Sequence, residues 1–586
     1  MANVGEPSPA DMRFLLRAGF LPRGKGVAQA RPHPYPEHVS LHHPADLCLV
    51  GGQVADVRAG VLRRAAVAIT GDRISAIGPD DALVAGARQI IDVSGRIIVP
   101  GYIEPHTHVV LASPVEFARA VLPLGTTTAM VDALPLQILA RRERLPQTLE
   151  QLAALPVQLR WLLRLHPQSF SDEERFSLEI LRRLWRLPAV AAVGEVTRWT
   201  DVLDGDPDLV AKIRAAREDG KPVEGHAPGA SYPKLAALAA AGITSCHEAI
   251  TPDEVLDRLR AGLWVMLRHN SIRPDLPALA AAGTDPVLLP RLMLTADGPM
   301  PLFIAAHGYM DYVISIAIDG GIPPLAALRM ATLNPATYFG LDDLGEVAVG
   351  KRADLNVLRS LLDPRPQLVI AGGQIAAHDG HLVLSLPDLA WGEIFERFVL
   401  PRLDPEAFIP PAAPPIMLRL LNDVITEIAD GDPGSDDTVH AVLIDRVGRW
   451  LSRCRLSGFV HHLGGVATTL NSAFHLLVLG QHPADMARAA DRLAELGGGL
   501  VVVEGGREVL SLAFDAGPFS TRPWAEIVEV NRRFNDLMRE RGFRFADPLF
   551  TLLFLPFDSL PWARLTSRGV WDVRNRRVLE PSIRLP

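Results

Sequence analysis

The stretch Pro100-Gly101-Tyr102-Ile103-Glu104-Pro105-His106-Thr107-His108 decides how the rest of this chain is interpreted. The run at residues 96–99 is rich in β-branched residues and is broken by Pro and Gly, which predicts a strand that ends in a turn. The next predicted strand leads directly into two histidines one residue apart. Side chains at positions i and i+2 of a strand point to the same side, so His106 and His108 can reach one point just past the strand. Two neutral imidazoles at one point suit a divalent transition metal, whereas two polar histidines in a surface loop are the alternative.

Strands and helices alternate from residue 100 to residue 340. The strand candidates after the histidine stretch are Thr127–Val131, Leu159–Leu163, Ala189–Val193, Val223-Glu224, Ile243-Thr244, Trp264–Leu267 and Leu292–Leu294. With the histidine strand they make eight βα units in roughly 240 residues, which predicts a closed (β/α)8 barrel. The chemistry of such barrels lies at the C-terminal ends of the strands.

The predicted fold class is α/β, with this TIM-like barrel inserted in a small composite β-sandwich and followed by a C-terminal α/β domain. Residues 46–99 and 341–385 contain short strand patterns and are expected to build the sandwich together. Residues 400–586 are expected to form the C-terminal domain. Residues 1–45 are rich in Pro, Gly and His and predict a short helix and an extended arm.

Several shorter segments carry their own predictions. Leu47–Val50 and Gln53–Asp56 flank Gly51-Gly52, which predicts a β-hairpin. In the C-terminal part we expect a strand at 476–480, a helix at 483–496 and a strand at 500–503.

Composition excludes several classes of protein. The chain of 586 residues has 59 Lys and Arg against 67 Asp and Glu, a net charge of −8 that favours neither a nucleic-acid nor a membrane partner. Its three cysteines, Cys48, Cys246 and Cys454, are far apart, which fits a reducing compartment and not a disulfide framework. The N-terminal residues lack the pattern of a signal peptide, and we find no run of 18 uncharged apolar residues. We therefore expect a cytoplasmic protein.

Four more side chains directly follow predicted barrel strands: Glu195, His226, His247 and Asp297. Each has an ordinary alternative. His226 could be a loop histidine, and His247 could be a hydrogen-bonded histidine at a strand end. The glutamate could form an ion pair with Arg198, and the aspartate could be part of a turn or a helix cap. The joint pattern is stronger, because all four and the histidine pair fall just after strands. Four imidazoles are too many for one catalytic zinc and suit two metals bridged by the glutamate. A single metal held by a subset of these side chains is the alternative.

The histidine stretch resembles the amidohydrolase superfamily, and Gly345–Leu355 is similar to that superfamily's usual return to the small sheet. Within the superfamily, the chain is most similar to the adenine deaminase family. The further segments that carry this resemblance are 224–229, 241–248, 492–499 and 565–573.

The resemblance implies a (β/α)8 hydrolase that converts adenine and water to hypoxanthine and ammonia. It implies a binuclear metal centre, commonly of manganese or iron and sometimes of zinc, and a homo-oligomer, a dimer or larger. The residues that match the metal ligands are His106, His108, Glu195, His226, His247 and Asp297. Glu195 would hold the metal pair together, and Asp297 would also shuttle protons, so these two are the expected catalytic residues. The substrate would be a purine base or a related heterocycle, held by Glu248, Arg268, His269 and Asp311.

This sequence departs from the family pattern near the expected site. Val110-Leu111-Ala112 stands where the family has Glu-Ser-Ser, and Asp132-Ala133-Leu134-Pro135 stands where it has Asp-Pro-His-Glu. These departures favour an alternative, an amidohydrolase that acts on another aminated heterocycle or a cyclic amide. A metal-binding scaffold without catalysis is a further alternative, which the retention of all six ligand-type residues disfavours.

Overall fold

The computed structural model describes residues 45–84, 87–169, 173–396, 398–399, 402–410, 416–430 and 435–585. The predicted N-terminal helix and arm lie outside these described residues, apart from residue 45.

In the part of the chain that the structure describes, seven strands precede the strand that carries His106, and they divide between two sheets. They are β1 (Leu47–Val50), β2 (Gln53–Asp56), β3 (Val61–Arg64), β4 (Ala66–Thr70), β5 (Arg73–Gly78), β6 (Gln89–Asp92) and β7 (Ile97–Pro100), with a short helix at Asp80–Val84. The predicted β1–β2 hairpin is wrong, because β1 pairs with β4 and β6 whereas β2 pairs with β3 and β7. Gly51 has a φ of +79°, a conformation that glycine adopts without strain, and here the chain passes from one sheet to the other.

The next eight strands are parallel and form a nearly closed barrel, which confirms the predicted fold class. They are β8 (Tyr102–Thr107), β9 (Thr126–Asp132), β10 (Gln158–Leu163), β11 (Val190–Val196), β12 (Val223–Gly225), β13 (Ser245–Cys246), β14 (Trp264–Arg268) and β15 (Leu292–Thr295). At the seam between β15 and β8, the buried carboxylate of Glu104 accepts hydrogen bonds from Thr295 Oγ1 at 2.6 Å and from the Ala296 amide at 2.9 Å. This link fixes the end of the first barrel strand against the end of the last.

Helices surround the barrel strands. Those between residues 114 and 339 are Pro114–Val121, Leu134–Leu139, Leu145–Ala153, Leu178–Leu184, Trp199–Leu203, Pro207–Glu218, Tyr232–Ala241, Pro252–Arg260, Leu276–Gly283, Pro301–His307, Met310–Asp319, Pro324–Met330 and Leu333–Phe339, with 3-10 turns at Leu122–Leu124, Glu173–Phe176 and Leu289–Arg291. One buried apolar cluster combines residues from six barrel strands, namely Ile103, Met130, Leu162, Ala192, Met266 and Met293. These side chains fill the barrel interior, so the barrel is a packed core and its chemistry is confined to one end.

The strands on either side of the barrel in sequence pair with each other. After the barrel come β16 (Leu355–Ser360), β17 (Asp363–Ala371), β18 (Gln374–His378) and β19 (His381–Leu382). β7 and β16 are antiparallel neighbours in a seven-stranded sheet of order β19-β18-β17-β16-β7-β2-β3. The four-stranded sheet β5-β4-β1-β6 shares a hydrophobic core with it, to which Leu49 and Ile69 contribute from one sheet and Ile98 and Leu355 from the other. The barrel is thus inserted between two adjacent strands of a composite sheet.

The C-terminal part contains a nine-stranded and a three-stranded sheet. The strands are β20 (Met417–Leu420), β21 (Thr426–Ile428), β22 (Thr438–Ile444), β23 (Trp450–Ser457), β24 (Gly465–Thr468), β25 (Leu476–Gly480), β26 (Gly499–Glu504), β27 (Arg507–Ala513), β28 (Ala563–Thr566), β29 (Gly569–Asp572), β30 (Arg577–Pro581) and β31 (Ile583–Arg584). The helices are Trp391–Ile394, Pro483–Leu496, Trp524–Glu540 and Pro548–Phe554, with a 3-10 turn at Pro405–Phe408. The predicted strand at 476–480 and helix at 483–496 are confirmed with those bounds. The nine-stranded sheet has the order β21-β20-β23-β22-β25-β24-β26-β27, with β31 beside β23, and the three-stranded sheet has the order β28-β29-β30.

Within the described residues, no single helix is long and apolar enough to cross a membrane. The helices Pro301–His307 and Met310–Asp319 pass that test only as a pair bent by 57°.

Asp547 is a buried carboxyl whose charge should make stability depend on pH. It caps the helix Pro548–Phe554 by accepting from the Leu549 amide at 3.0 Å. Burial, with a smaller effect from Asp423, raises the pKa of Asp547 to about 7. Because the folded pKa lies above the unfolded value of about 3.9, the folded state loses stability as pH rises between these two values.

We therefore expect Asp547→Asn to be more stable than the parent protein at pH 8, with an advantage that shrinks toward pH 4. Asparagine keeps the cap, and a shift of about three pKa units corresponds to at most about 4 kcal/mol. Urea unfolding of both proteins at pH 5 and pH 8 measures the difference. A difference that does not change with pH would contradict this explanation.

Candidate active site

The histidine pair and Asp297 meet where β8 and β15 end. His106 Nε2 lies 3.1 Å from Asp297 Oδ1, and His108 Nε2 lies 3.6 Å from the same oxygen. His108 Nε2 is also 3.7 Å from Glu195 Oε2. His106 is fully buried, and its Nε2 has no hydrogen-bond partner among the described residues, so this contact lacks hydrogen-bond geometry. An unpaired ring nitrogen beside carboxylate oxygens is what a metal ligand requires.

Glu195 also contacts the other two predicted histidines, through its second oxygen. Glu195 Oε1 contacts His226 Nδ1 and lies 3.4 Å from His247 Nε2. The two imidazoles approach each other to 3.2 Å between His226 Nδ1 and His247 Nε2. The structure therefore brings all six predicted side chains together, with Glu195 between the two groups of histidines.

Two glycines allow these close approaches. Gly194 has a φ of +122°, and a Cβ there would lie 2.5 Å from the Glu224 carbonyl oxygen. Gly298 has a φ of +71°, and a Cβ there would lie 2.8 Å from His108 Cβ. Since L side chains rarely adopt these conformations and the space is filled, both positions require glycine for the neighbouring ligand to reach the cluster.

Glu224 is a buried site residue that was not predicted. It lies on β12, and its Oε2 is 3.0 Å from His106 Nδ1 while its Oε1 is 3.5 Å from His247 Nδ1. A carboxylate on the far nitrogen of a metal-binding histidine fixes the tautomer and the ring orientation. Glu224 therefore leaves Nε2 of both imidazoles directed at the cluster.

Asp132 and Arg164 are two more residues that the sequence analysis did not assign to the site. Asp132 Oδ2 lies 3.0 Å from His108 Nδ1, so it orients that imidazole as Glu224 orients the others. Arg164 Nη2 donates to the same oxygen at 2.7 Å and to Glu195 Oε2 at 2.6 Å. Burial alone would raise the pKa of Glu195, but Arg164 and His226 outweigh it and hold that pKa well below its usual range.

Among the four predicted substrate-binding residues, Glu248 and Arg268 are at the cluster. Arg268 Nη1 donates to Glu248 Oε1 and to Asp297 Oδ2, both at 2.6 Å. Arg273 Nη1 donates to the other Glu248 oxygen at 2.9 Å. Arg268 thus holds the outer oxygen of Asp297 and leaves the inner oxygen to face the histidines.

The structure does not bring His269 and Asp311 to the site, contrary to the prediction. The His269 ring packs on Tyr312, with 5.7 Å between ring centroids. Asp311 is buried against Arg365 and accepts from the Tyr309 amide at 2.7 Å. Asp311 lies in a helix and not at a strand end. His269 directly follows Arg268, whose side chain faces the cluster, so the side chain of His269 points to the opposite side.

The donor set fits divalent metal ions. The triads His106–His108–Glu195 and Glu195–His226–His247 each keep their candidate ligand atoms within 4.8 Å of one another. Five carboxylates (Asp132, Glu195, Glu224, Glu248 and Asp297) share the cluster with two buried guanidinium groups, Arg164 and Arg268.

This excess of negative charge acts on the imidazoles. Burial alone would lower the pKa of His106, but Glu224 and Asp297 outweigh it and raise that pKa to about 10. The pKa of His247 is also raised, since Glu195, Glu224 and Glu248 outweigh its burial. The cluster therefore favours bound cations, and metal binding would displace these protons.

Comparison with known proteins identifies the family. Residues 97–376 match the amidohydrolase family, and residues 422–577 match the adenine deaminase C-terminal domain. The chain is 35% identical over 530 residues to a putative adenine deaminase of Halalkalibacterium halodurans, covering 87% of this chain and 91% of that protein. It is 36% identical over 564 residues to an adenine deaminase of Cereibacter sphaeroides strain KD131, covering 92% of this chain and 97% of that protein.

The chain belongs to the adenine deaminase family.

Among solved structures, a β-aspartyl dipeptidase of Fervidobacterium islandicum AW-1 is similar with a TM-score of 0.45 and 18% identity, covering 58% of this chain and 98% of that chain. As a member of the adenine deaminase family, this chain is a hydrolase of C–N bonds, and amidohydrolases are generally metal-dependent.

In this adenine deaminase family member, part of the cluster of ligand-type side chains lies in the wall of a cavity of about 1230 Å³. Glu195, His226 and Asp297 line it from the barrel, while Phe474 and Trp571 line it from the C-terminal part. The C-terminal domain therefore contributes to the wall of this cavity as well as to the fold.

Gln168 also lines this cavity and was missed by the sequence analysis. It follows β10 and is 8% exposed. A carboxamide in the cavity wall is a candidate for binding substrate, because it offers both a donor and an acceptor.

Glu224→Gln tests the orienting role of Glu224. Glutamine keeps the shape but removes the charge that both imidazoles face, so we expect metal affinity to fall by about 10- to 100-fold, the usual effect of losing an outer partner. Competition with a chelator, followed by elemental analysis, measures this. Unchanged metal affinity would show that Glu224 has no such role.

Proposed function

We propose that this protein catalyses the hydrolytic deamination of adenine to hypoxanthine and ammonia at a binuclear divalent metal centre. The main support is the convergence of six ligand-type side chains, of which His108, Glu195, His226 and Asp297 line a cavity that an adenine deaminase-type C-terminal domain helps to form. Its similarity to adenine deaminases over most of its length supports the choice of substrate.

The arrangement of the ligand atoms supports two metal ions over one. Glu195 belongs to two triads, one with His106 and His108 and one with His226 and His247, and each triad keeps its ligand atoms within 4.8 Å of one another. Manganese or iron is the expected metal on the strength of the family resemblance, with zinc as the alternative.

When bound, the metal ions would lower the pKa of a water molecule and so supply a nucleophile at neutral pH. Asp297 is placed to handle the protons of the reaction. Its Oδ1 faces the cluster, so it can accept the proton of the attacking water and deliver it to the exocyclic nitrogen that leaves C6 as ammonia. Arg268 keeps the carboxylate of Asp297 ionised and in this orientation: although burial alone would raise the pKa of Asp297, Arg268 and the histidines hold it well below the usual range.

A substrate panel tests the proposal. Full-length protein loaded with Mn²⁺, Fe²⁺ or Zn²⁺ is incubated with adenine, other aminopurines, pterins and cyclic imides, and ammonia and ring products are measured. We expect the highest kcat/KM with adenine. Turnover of another compound with none of adenine would overturn this assignment of substrate.

One observation favours a second candidate, an amidohydrolase of another aminated heterocycle or a cyclic amide. Val110, Leu134 and Pro135, which replace polar residues of the family pattern, line the same cavity. Apolar side chains at these positions would leave polar groups of the substrate without partners. The same panel distinguishes the two candidates.

Gln168→Leu tests recognition of the ring. If Gln168 pairs with ring nitrogens, leucine should raise KM and lower kcat/KM roughly tenfold, the effect of about 1.4 kcal/mol. The matched control is Gln168→Asn, which keeps the carboxamide. Its KM should lie between those of the parent protein and the leucine variant. Steady-state kinetics with adenine measures both, and an unchanged KM in the leucine variant would exclude Gln168 from ring binding.

A further inference from the structure

Phe474 has a strained backbone conformation in the wall of the cavity. Its φ is +54°, in the left-handed region that a bulky aromatic residue rarely adopts. Among the described residues, five non-glycine residues have a positive φ, and three of them, Asp297, Phe474 and Arg576, line the cavity. Strained conformations cluster at functional sites, where the surrounding structure maintains them. The conformation of Phe474 therefore points to a function for its side chain.

Asn471 holds this conformation from both sides. Its buried side chain accepts from the Ala473 amide at 3.2 Å and from the His475 amide at 3.3 Å, and it donates to the His475 carbonyl at 2.7 Å. The backbone adds another bond, because the Phe474 amide donates to the Asn471 carbonyl at 3.0 Å. The residues before and after Phe474 are thus bonded to one buried carboxamide.

The loop that carries Phe474 joins β24 to β25 and is anchored on both sides of this residue. The Ser472 amide donates to the Leu553 carbonyl at 2.8 Å, and His475 Nδ1 accepts from the Arg446 amide at 3.2 Å. From this loop the half-buried side chain of Phe474 packs against the hydrophobic cluster to which the barrel strands contribute. The ring is therefore held in one place, where the C-terminal part meets the barrel.

The other Phe and Trp side chains of the cavity wall each have a second ring or a cation against them, namely Trp199, Phe519, Phe550, Phe554, Phe557 and Trp571. The ring of Phe554, for example, lies between two others, with 6.0 Å between its centroid and that of Phe550 and 5.9 Å to that of Phe557. Stacking on a ligand requires an open face of the ring. These six rings are therefore less suited to it than Phe474.

We propose that Phe474 is a specificity-determining residue whose ring packs against the face of a planar, fully conjugated substrate ring, and that Asn471 is the positioning residue that holds it there. Aromatic rings stack on flat heterocycles, whereas the puckered ring of a saturated cyclic amide offers no such face. The contact selects aminated aromatic heterocycles, such as a purine, over saturated cyclic amides. This inference rests on the proposed function and narrows its substrate class.

Equilibrium dialysis of the metal-loaded full-length protein with hypoxanthine, the expected product, tests the contact without any measurement of turnover. We expect Phe474→Leu to bind hypoxanthine roughly tenfold more weakly with its metal content unchanged, because leucine keeps the apolar contact with the barrel but offers no ring. The matched control Phe474→Tyr keeps the ring and should bind as the parent does. Equal binding by the parent and Phe474→Leu would overturn the inference and leave the proposed function intact, whereas a parent that binds no purine would overturn both.

Selection of planar rings is measured by competition between hypoxanthine and dihydrouracil, a non-aromatic cyclic imide. In the parent, hypoxanthine should bind more tightly than dihydrouracil, and Phe474→Leu should lose most of this preference because only the planar ring loses its stacking partner. If Phe474→Leu weakened the binding of both ligands by the same factor, the ring would provide only a general apolar contact, which would refute the selection.

A double-mutant comparison tests Asn471 as the positioning residue. Asn471→Ala releases the loop and should weaken hypoxanthine binding about as much as Phe474→Leu does. In the double variant the two losses should not add, since both changes remove the same contact. Additive losses would show that Asn471 acts elsewhere and would overturn its positioning role. If Asn471→Ala does not fold, Asn471→Asp, which loses only the donor to the His475 carbonyl, replaces it in the same comparison.

Discussion

Replacing His226 by alanine is expected to remove metal from the centre and to abolish measurable ammonia release from adenine. His226 Nδ1 contacts Glu195 Oε1 and lies 3.2 Å from His247 Nε2, so its loss leaves that metal position with one imidazole. Loss of an outer partner of a metal ligand costs about 10- to 100-fold in affinity or activity, and loss of the ligand itself should exceed that range. Elemental analysis and an ammonia assay on the same preparation measure both effects.

The matched control for His226→Ala is His378→Ala, since His378 is an exposed imidazole on β18 with 63% of its side chain accessible. We expect the control to keep both its metal and its turnover. Unchanged metal content and turnover in His226→Ala would refute the assignment of this histidine to the centre. Loss of turnover with full metal content would instead transfer its role from metal binding to the substrate.

The alternation of side chains along a strand explains why the site could be predicted in part. Met130, Leu162 and Met266 fill the barrel interior, and two residues further along the chain lie Asp132, Arg164 and Arg268, of which Arg164 is just past the end of β10. This alternation allowed the histidines and carboxylates just after strands to be predicted, because these residue types are the usual metal ligands. Asp132 and Arg164 follow the same rule.

Other features depended on contacts between distant parts of the chain. The β1–β2 hairpin was wrong because both strands have better partners far along the sequence, such as β6 and β7, and a local pattern of glycines does not reveal them. The role of Glu224 had a weak local signal, a charged residue inside a short apolar strand two positions before His226. Gln168 had none, because a glutamine in a loop becomes informative only when a cavity is seen beside it.

Asp297→Asn is expected to reduce kcat by about 10²- to 10⁴-fold, the usual contribution of a positioned acid or base, while most of the metal is retained. Asparagine keeps the shape of the side chain and one oxygen toward His106 and His108, but it cannot accept and release a proton. KM for adenine should change little, because the structure gives Asp297 contacts to the cluster and to Arg268 and none that select a heterocycle. Kinetics at saturating Mn²⁺, with the metal content of each sample measured, separates the two roles.

The outcome that would contradict proton transfer by Asp297 is recovery of the parent kcat when enough Mn²⁺ is added, because that result would make Asp297 a metal ligand only. Asp319→Asn provides the control. Asp319 is exposed at the C-terminal end of the helix Met310–Asp319 and is not among the residues that line the cavity. Arg268 helps to separate proton transfer from metal binding as the role of Asp297. Because Arg268 binds Asp297 Oδ2, the proposed proton transfer would use Oδ1, the oxygen that faces both histidines.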